Sequence, residues 1–238
     1  MRPIEIVKEA QHKKLIDEDG QAIDLALLPP LTATELEDFA ASLPCPLPGE
    51  MAELLKYCRG FEGTLELVDF TGQSLMAEFR EIFPHGVPIA GDGFGNFWVV
   101  DLQPNSTGWA PIYYLSHDPP TIVYQTDSLA HFLAELFRMF PPHASEIDAV
   151  HEDRLADIWR TNPGVLSYEV CLKSTDPDLA AFARELNDSY QIIDLRQPKI
   201  GDGFSWGRYG PKTVVKRFGY QPIFAYQKKN FLRRLLGH

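Results

Sequence analysis

The chain has 238 residues, 45% of them hydrophobic and 23% charged, which excludes wholesale disorder, collagen and coiled coil and leaves one large domain or a domain with a smaller annex. No apolar run approaches the 18 residues of a membrane span, and Glu5, Lys8 and Glu9 interrupt the stretch where a secretory leader needs apolar residues, so the expectation is a cytoplasmic protein. Residues 1–142 carry 8 basic against 21 acidic side chains, 143–195 carry 4 against 11, and 196–238 carry 10 against 1; such an acidic body repels nucleic acid and anionic membrane and suits a basic protein partner.

Thr32-Ala33-Thr34-Glu35 has the spacing of a capping box and predicts a helix with Leu36, Phe39, Ala40 and Leu43 inward, stopped at Pro44-Cys45-Pro46. Pro48 opens a second helix with Met51, Leu54, Leu55 and Cys58 on one face, ended by Gly60. The period then shortens. Leu65–Val68, Phe97–Val100, Pro111–Tyr114 and Thr121–Tyr124 are β-rich runs parted by Gly, Pro, Asn and Asp, the pattern of an antiparallel meander. Leu129, Phe132, Leu133, Leu136, Phe137 and Phe140 lay an apolar stripe along a helix that ends at Pro141-Pro142.

That proline pair is the expected boundary between a domain at 1–142 and a small α+β unit at 143–238. In the second part Ile147, Val150, Ile158 and Trp159 mark an irregular connecting helix, and Val165–Leu172 reads as a strand. Asp176-Pro177 is a helix cap, and Tyr190–Leu195 and Pro222–Tyr226 read as further strands. A Gly-rich basic loop spans 201–210.

Gly91-Asp92-Gly93-Phe94-Gly95-Asn96 lacks the Lys-Ser/Thr and the following helix of a phosphate loop and the acidic ladder of a calcium loop, so it reads as a tight turn into a strand. Seven scattered histidines and three cysteines without CxxC spacing give no zinc pattern, and no cofactor is expected. His117-Asp118 at a strand end is the remaining place for proton transfer, since an aspartate can fix an imidazole tautomer, although a Ser-His-Asp-Pro-Pro turn accounts for the same residues. The tail from Trp206 to Arg234, with Lys228, Lys229, Arg233 and Arg234 at its end, interleaves basic and aromatic residues as single-stranded nucleic-acid binders do; the alternating Tyr220–Tyr226 run also fits a packed strand.

Four pieces in order resemble the Smi/Knr family of the SUKH superfamily: Leu47-Pro48 through Leu54-Leu55 to Gly60; Val87–Leu102; Pro111–Asp118; and Ser128-Leu129-Ala130 through Phe132-Leu133. Asn96 stands where the family more often has Asp. The resemblance covers about residues 30–140 and implies an α+β fold with helices packed around a twisted, mostly antiparallel sheet. It also implies a non-enzymatic role: an immunity protein that neutralises a toxin, often a nuclease, or a regulator of cell-wall assembly. Asp92, Asn96, His117 and Asp118 are then candidates for partner binding. The rival expectations are an enzyme built on those four residues, or nucleic-acid contact through the basic tail.

Overall fold

In a computed structural model, residues 1–17, 19–64, 67–72, 75–140, 143–207 and 213–228 are described, Glu78 by its backbone alone. The first helix, α1 (Pro3–His12), is followed by the short strands β1 (Leu15–Ile16), β2 (Ala22–Ile23) and β3 (Ala26–Leu27), then α2 (Ala33–Ser42) and α3 (Gly49–Leu55). β4 (Gly60–Glu62), β5 (Leu67–Asp69) and α4 (Ala77–Ile82) lead into the long antiparallel strands β6 (Gly86–Gly91), β7 (Phe97–Asp101), β8 (Ile112–His117) and β9 (Pro120–Thr126). After α5 (Leu129–Arg138) come α6 (Glu146–Asp148), a π-helical turn over Ala149–Arg154, and α7 (Leu155–Thr161). The chain closes with β10 (Leu166–Ser167), α8 (Tyr168–Leu172), α9 (Pro177–Arg184), β11 (Tyr190–Asp194), β12 (Gly203–Ser205), β13 (Val215–Arg217) and β14 (Ile223–Gln227). The fold is α+β, with antiparallel pairing throughout both larger sheets.

The capping box forms: the Thr32 hydroxyl accepts from the Glu35 N–H, and the Glu35 carboxylate accepts from the Thr32 N–H at 2.8 Å. α5 starts at Ser128, whose hydroxyl accepts from the His131 N–H, and buries Leu129, Phe132, Leu133 and Leu136. Both terminating features named from the sequence at this end, Pro141 and Pro142, lie outside the described residues, as do Leu65 and Glu66.

Side-chain alternation along the strands decides the layers. Trp98, Val100, Ile112, Tyr114 and Val123 face one way and pack with α1, α3, α5 and the α6–α7 segment. Val99, Tyr113, Leu115, Ile122 and Tyr124 face the other way, into a second cluster with Phe79 and Phe83 and with Ile193, Phe204, Phe224 and Tyr226. Those last four residues come from the C-terminal segment. Its four-stranded sheet, in the order β10-β11-β14-β13, lies over the second face of the eight-stranded sheet, whose order is β12-β9-β8-β7-β6-β5-β4-β3. The same alternation sends Tyr190, Ile192, Ile223 and Ala225 to the far side of the small sheet, against Cys171 of α8 and Leu179, Phe182 and Ala183 of α9. The sequence of layers is thus helices, large sheet, small sheet, helices.

β12 crosses from the C-terminal segment into the large sheet and pairs with β9, Gly203 opposite Val123 and Phe204 opposite Ile122. A Cβ on Gly203 would lie 2.0 Å from the Ile122 carbonyl oxygen, so only glycine permits this approach.

One local expectation changes, and the irregular connecting helix acquires its physical reason. Val165–Leu172 is a strand for two residues only; the Ser167 hydroxyl then accepts from the Val170 N–H and caps α8, which buries Cys171. The irregular spacing of Ile147, Val150 and Ile158 belongs to a π-helical turn, whose extra residue per turn shifts the buried face within one continuous helical segment. No helix among the described residues is long and apolar enough to cross a membrane.

Candidate functional site

Asp92 and Asn96 stand at the two ends of the β6–β7 turn, and His117 ends β8, the next strand but one in space from β6. The turn is an Asx type. Asp92 Oδ1 accepts from the backbone N–H of Phe94 (2.8 Å) and of Asn96 (3.2 Å), while Gly93 and Gly95 take φ of 82° and 86°, a region costly for side chains with a Cβ. Asp92 Oδ2 accepts from Asn96 Nδ2 (2.7 Å) and from the Tyr114 hydroxyl (2.9 Å). Four donors therefore converge on one carboxylate. Burial would push its pKa up; the hydrogen bonds from Asn96, Phe94 and Tyr114 outweigh burial and hold it below the usual range, so Asp92 is ionised.

This chain of donors also fixes the state of His117. Because Asn96 Nδ2 faces the Asp92 carboxylate, Oδ1 faces the other way and accepts from the His117 backbone N–H at 3.0 Å. His117 Nδ1 lies 2.8 Å from the same Oδ1, which can only accept, so Nδ1 is the nitrogen that carries a proton and donates, and Nε2 points away from this contact. A Cβ on Gly95 would come within 3.2 Å of His117 Cε1, so the ring lies close against the turn with its Cε1 edge nearest. Asp92, Asn96 and His117 are brought together; Asp118 is exposed at the β8–β9 turn, outside this network.

Three participants were not legible in the sequence. Tyr114 and Trp98 are cross-strand partners on β8 and β7, their rings 4.8 Å apart, and burial followed by the Asp92 charge pushes the Tyr114 hydroxyl pKa upward. His151, on the π-helical turn, sets its ring edge-on to Tyr114 (5.4 Å, 86°), and its Nε2 is 3.8 Å from Asp92 Oδ2. The alternation of β7 and β8 could have placed Trp98 and Tyr114 on one face, whereas nothing in the local sequence brings His151 to them. Trp98 Nε1 donates to Gln125 Oε1 (3.1 Å) and Gln125 Nε2 to the Glu146 carbonyl (3.1 Å), which ties the sheet to α6.

Two cavities lie elsewhere. One, of about 470 Å³, is lined by Ile6, Ala10, Phe137 and Phe140 between α1 and the end of α5. The other, of about 430 Å³, surrounds Arg196, which is bound by Asp176, Asp178 and Asp194 at 2.7–3.1 Å. Asp148 at the end of α6 and His151 and Glu152 on the π-helical turn offer ligand atoms within 4.8 Å of one another, a spacing a divalent ion could use.

The basic tail is partly spent on internal contacts. Arg217 is paired with Asp101, the Lys216 ammonium lies 5.4 Å over the Tyr190 ring, and Phe204, Trp206 and Tyr226 are core residues. Lys229, Arg233 and Arg234 lie outside the described residues.

Residues 30–135 match the sequence model of the SMI1 / KNR4 family (SUKH-1). No curated protein and no solved structure matches the chain.

Proposed function

Since residues 30–135 form a SMI1/KNR4 (SUKH-1) family domain, we propose that this chain works by binding another protein, as an immunity protein that neutralises a toxin module or as a regulator of cell-wall assembly. The observation that supports this most is the way the polar residues of the β6–β7 turn are used. Asp92 is ionised and engaged by four donors, and Asn96 divides its amide between Asp92 and His117. These bonds hold two adjacent hairpin ends rigid, which is what a preformed docking surface requires. The net charge of −11 favours a basic partner, because a negative surface speeds encounter with a positive one.

A second reading, an enzyme with His117 Nε2 as general base, has the fixed tautomer in its favour. The two readings separate in one experiment. The tagged protein is purified from its own cells, its partner is identified by mass, and the purified pair is titrated by calorimetry with wild type and with His117→Ala. Binding by a basic protein, with no turnover of a small molecule by the complex or the free chain, supports the first reading. A chain that recovers no protein partner, and whose activity on a small molecule vanishes in His117→Ala, overturns it.

A further inference from the structure

We propose that Phe94, at the tip of the β6–β7 turn, is the apolar anchor of the partner interface, and that its occupant is a positively charged protein surface carrying an apolar pocket. This rests on the protein-binding reading above and goes further by naming the contact. Phe94 is 78% exposed, the most exposed large hydrophobic side chain after Met1 among the described residues. An exposed apolar side chain is ordinary on a mobile loop. Phe94 is on the opposite kind of support: its own N–H is bound by a buried, ionised carboxylate, Asp92 Oδ1, at 2.8 Å, and the residues on either side, Gly93 and Gly95, take positive φ, with Gly95 close against the His117 ring. The turn therefore presents the Phe94 ring to solvent from a hydrogen-bonded backbone. An aromatic side chain presented on a rigid base loses little freedom on binding, the property of residues that dominate interfaces.

The surroundings select the partner's charge. On one side His117, in contact with the turn through Asn96 and Gly95, is followed by exposed Asp118. On the other, His151 abuts Asp92 and Tyr114 and is followed by exposed Glu152 and Asp153. Arg154, the nearest cation along that turn, is drawn away by Asp157 (3.1 Å) and the Gly201 carbonyl (3.3 Å). An apolar centre with an acidic rim matches a basic protein and mismatches an acidic one.

The test places the photo-crosslinking amino acid p-benzoylphenylalanine at position 94, 170 or 220 of the full chain in its own cells; Val170 and Tyr220 are exposed apolar controls away from the turn. The expected result is one protein of basic isoelectric point cross-linked from position 94 and not from 170 or 220. With that protein purified, Phe94→Ala should weaken binding by about tenfold or more while leaving the melting temperature unchanged. The combination Asp118→Asn, Glu152→Gln and Asp153→Asn should slow association and flatten its salt dependence. Cross-linking from 170 or 220 but not 94, an acidic partner, or undiminished affinity of Phe94→Ala overturns the assignment of Phe94 and leaves protein binding standing. Absence of any cross-linked protein from all three positions overturns both.

Discussion

Arg217 reaches across from β13 to grip Asp101 of β7 with both guanidinium arms, Nη1 to Oδ1 at 2.9 Å and Nη2 to Oδ2 at 2.6 Å. The two side chains are 4% and 2% exposed, and the guanidinium is sandwiched 5.5 Å from the Phe83 ring and 5.4 Å from the Phe224 ring. Its remaining protons go to the carbonyls of Ile82, Tyr220 and Gln221. Desolvation raises the Asp101 pKa, with Arg217 and Gln103 pulling the other way, so the carboxylate depends on its partners to stay charged.

Removing either partner strands the other. Arg217→Met or Asp101→Asn should cost about 3–5 kcal/mol in urea unfolding, whereas the double variant should cost clearly less than the sum of the two. Arg217→Lys should resemble Arg217→Met, since an ammonium cannot reproduce the planar fork. Purely additive costs would show that the pair is not coupled.

Asn162 tests the join at the edge of the large sheet. It ends α7 in the left-handed region (φ 52°), and its amide bonds both the carbonyl (2.7 Å) and the N–H (2.8 Å) of Ser205 on β12, as a neighbouring strand would. It also donates to the Tyr226 hydroxyl at 2.8 Å. Asn162→Gly keeps the backbone geometry and loses the bonds; Asn162→Ala loses both. Thermal or urea unfolding should rank wild type above Asn162→Gly above Asn162→Ala, with roughly 1–2 kcal/mol between the two variants and about 1–3 kcal/mol between wild type and glycine.

The pH dependence follows from Asp92. Its folded pKa is lowered, so the stabilisation it provides is complete above the unfolded carboxylate value of 3.8 and is lost as pH falls through the folded value. The stability difference between wild type and Asp92→Asn should therefore be constant near neutral pH and shrink on acidification below about pH 4. A difference that grows with acid would mean the folded pKa is raised instead.

How much of this was legible beforehand depends on the range of the interactions. Thr32-x-x-Glu35, Asp176-Pro177 and the Leu129–Leu136 stripe act within one or two turns of chain, and each forms the helix its spacing predicts. The Asp92–Asn96 turn is equally local: the tight turn read from Gly91–Asn96 forms, with Gly93 and Gly95 at positive φ. What was not legible is non-local. The strands β8 and β9 are buried on both faces, which apolar content alone leaves ambiguous, and the second cover comes from residues far along the chain, Ile193, Phe224 and Tyr226. Val165–Leu172 went wrong because its β-branched and aromatic residues outweighed a single capping serine, Ser167. His151 reaches Tyr114 only because a π-helical turn redirects that face.

A basic protein meeting the electronegative surface of this chain, as proposed, is held in part by exposed charges. The most direct measurement is the affinity of the purified partner across about 50 to 300 mM NaCl, over which exposed charge pairs pass from weak to strong screening. The expected result is a steep, continuous loss of affinity, carried by slower association. Affinity and association rate that hold constant over that range would contradict it.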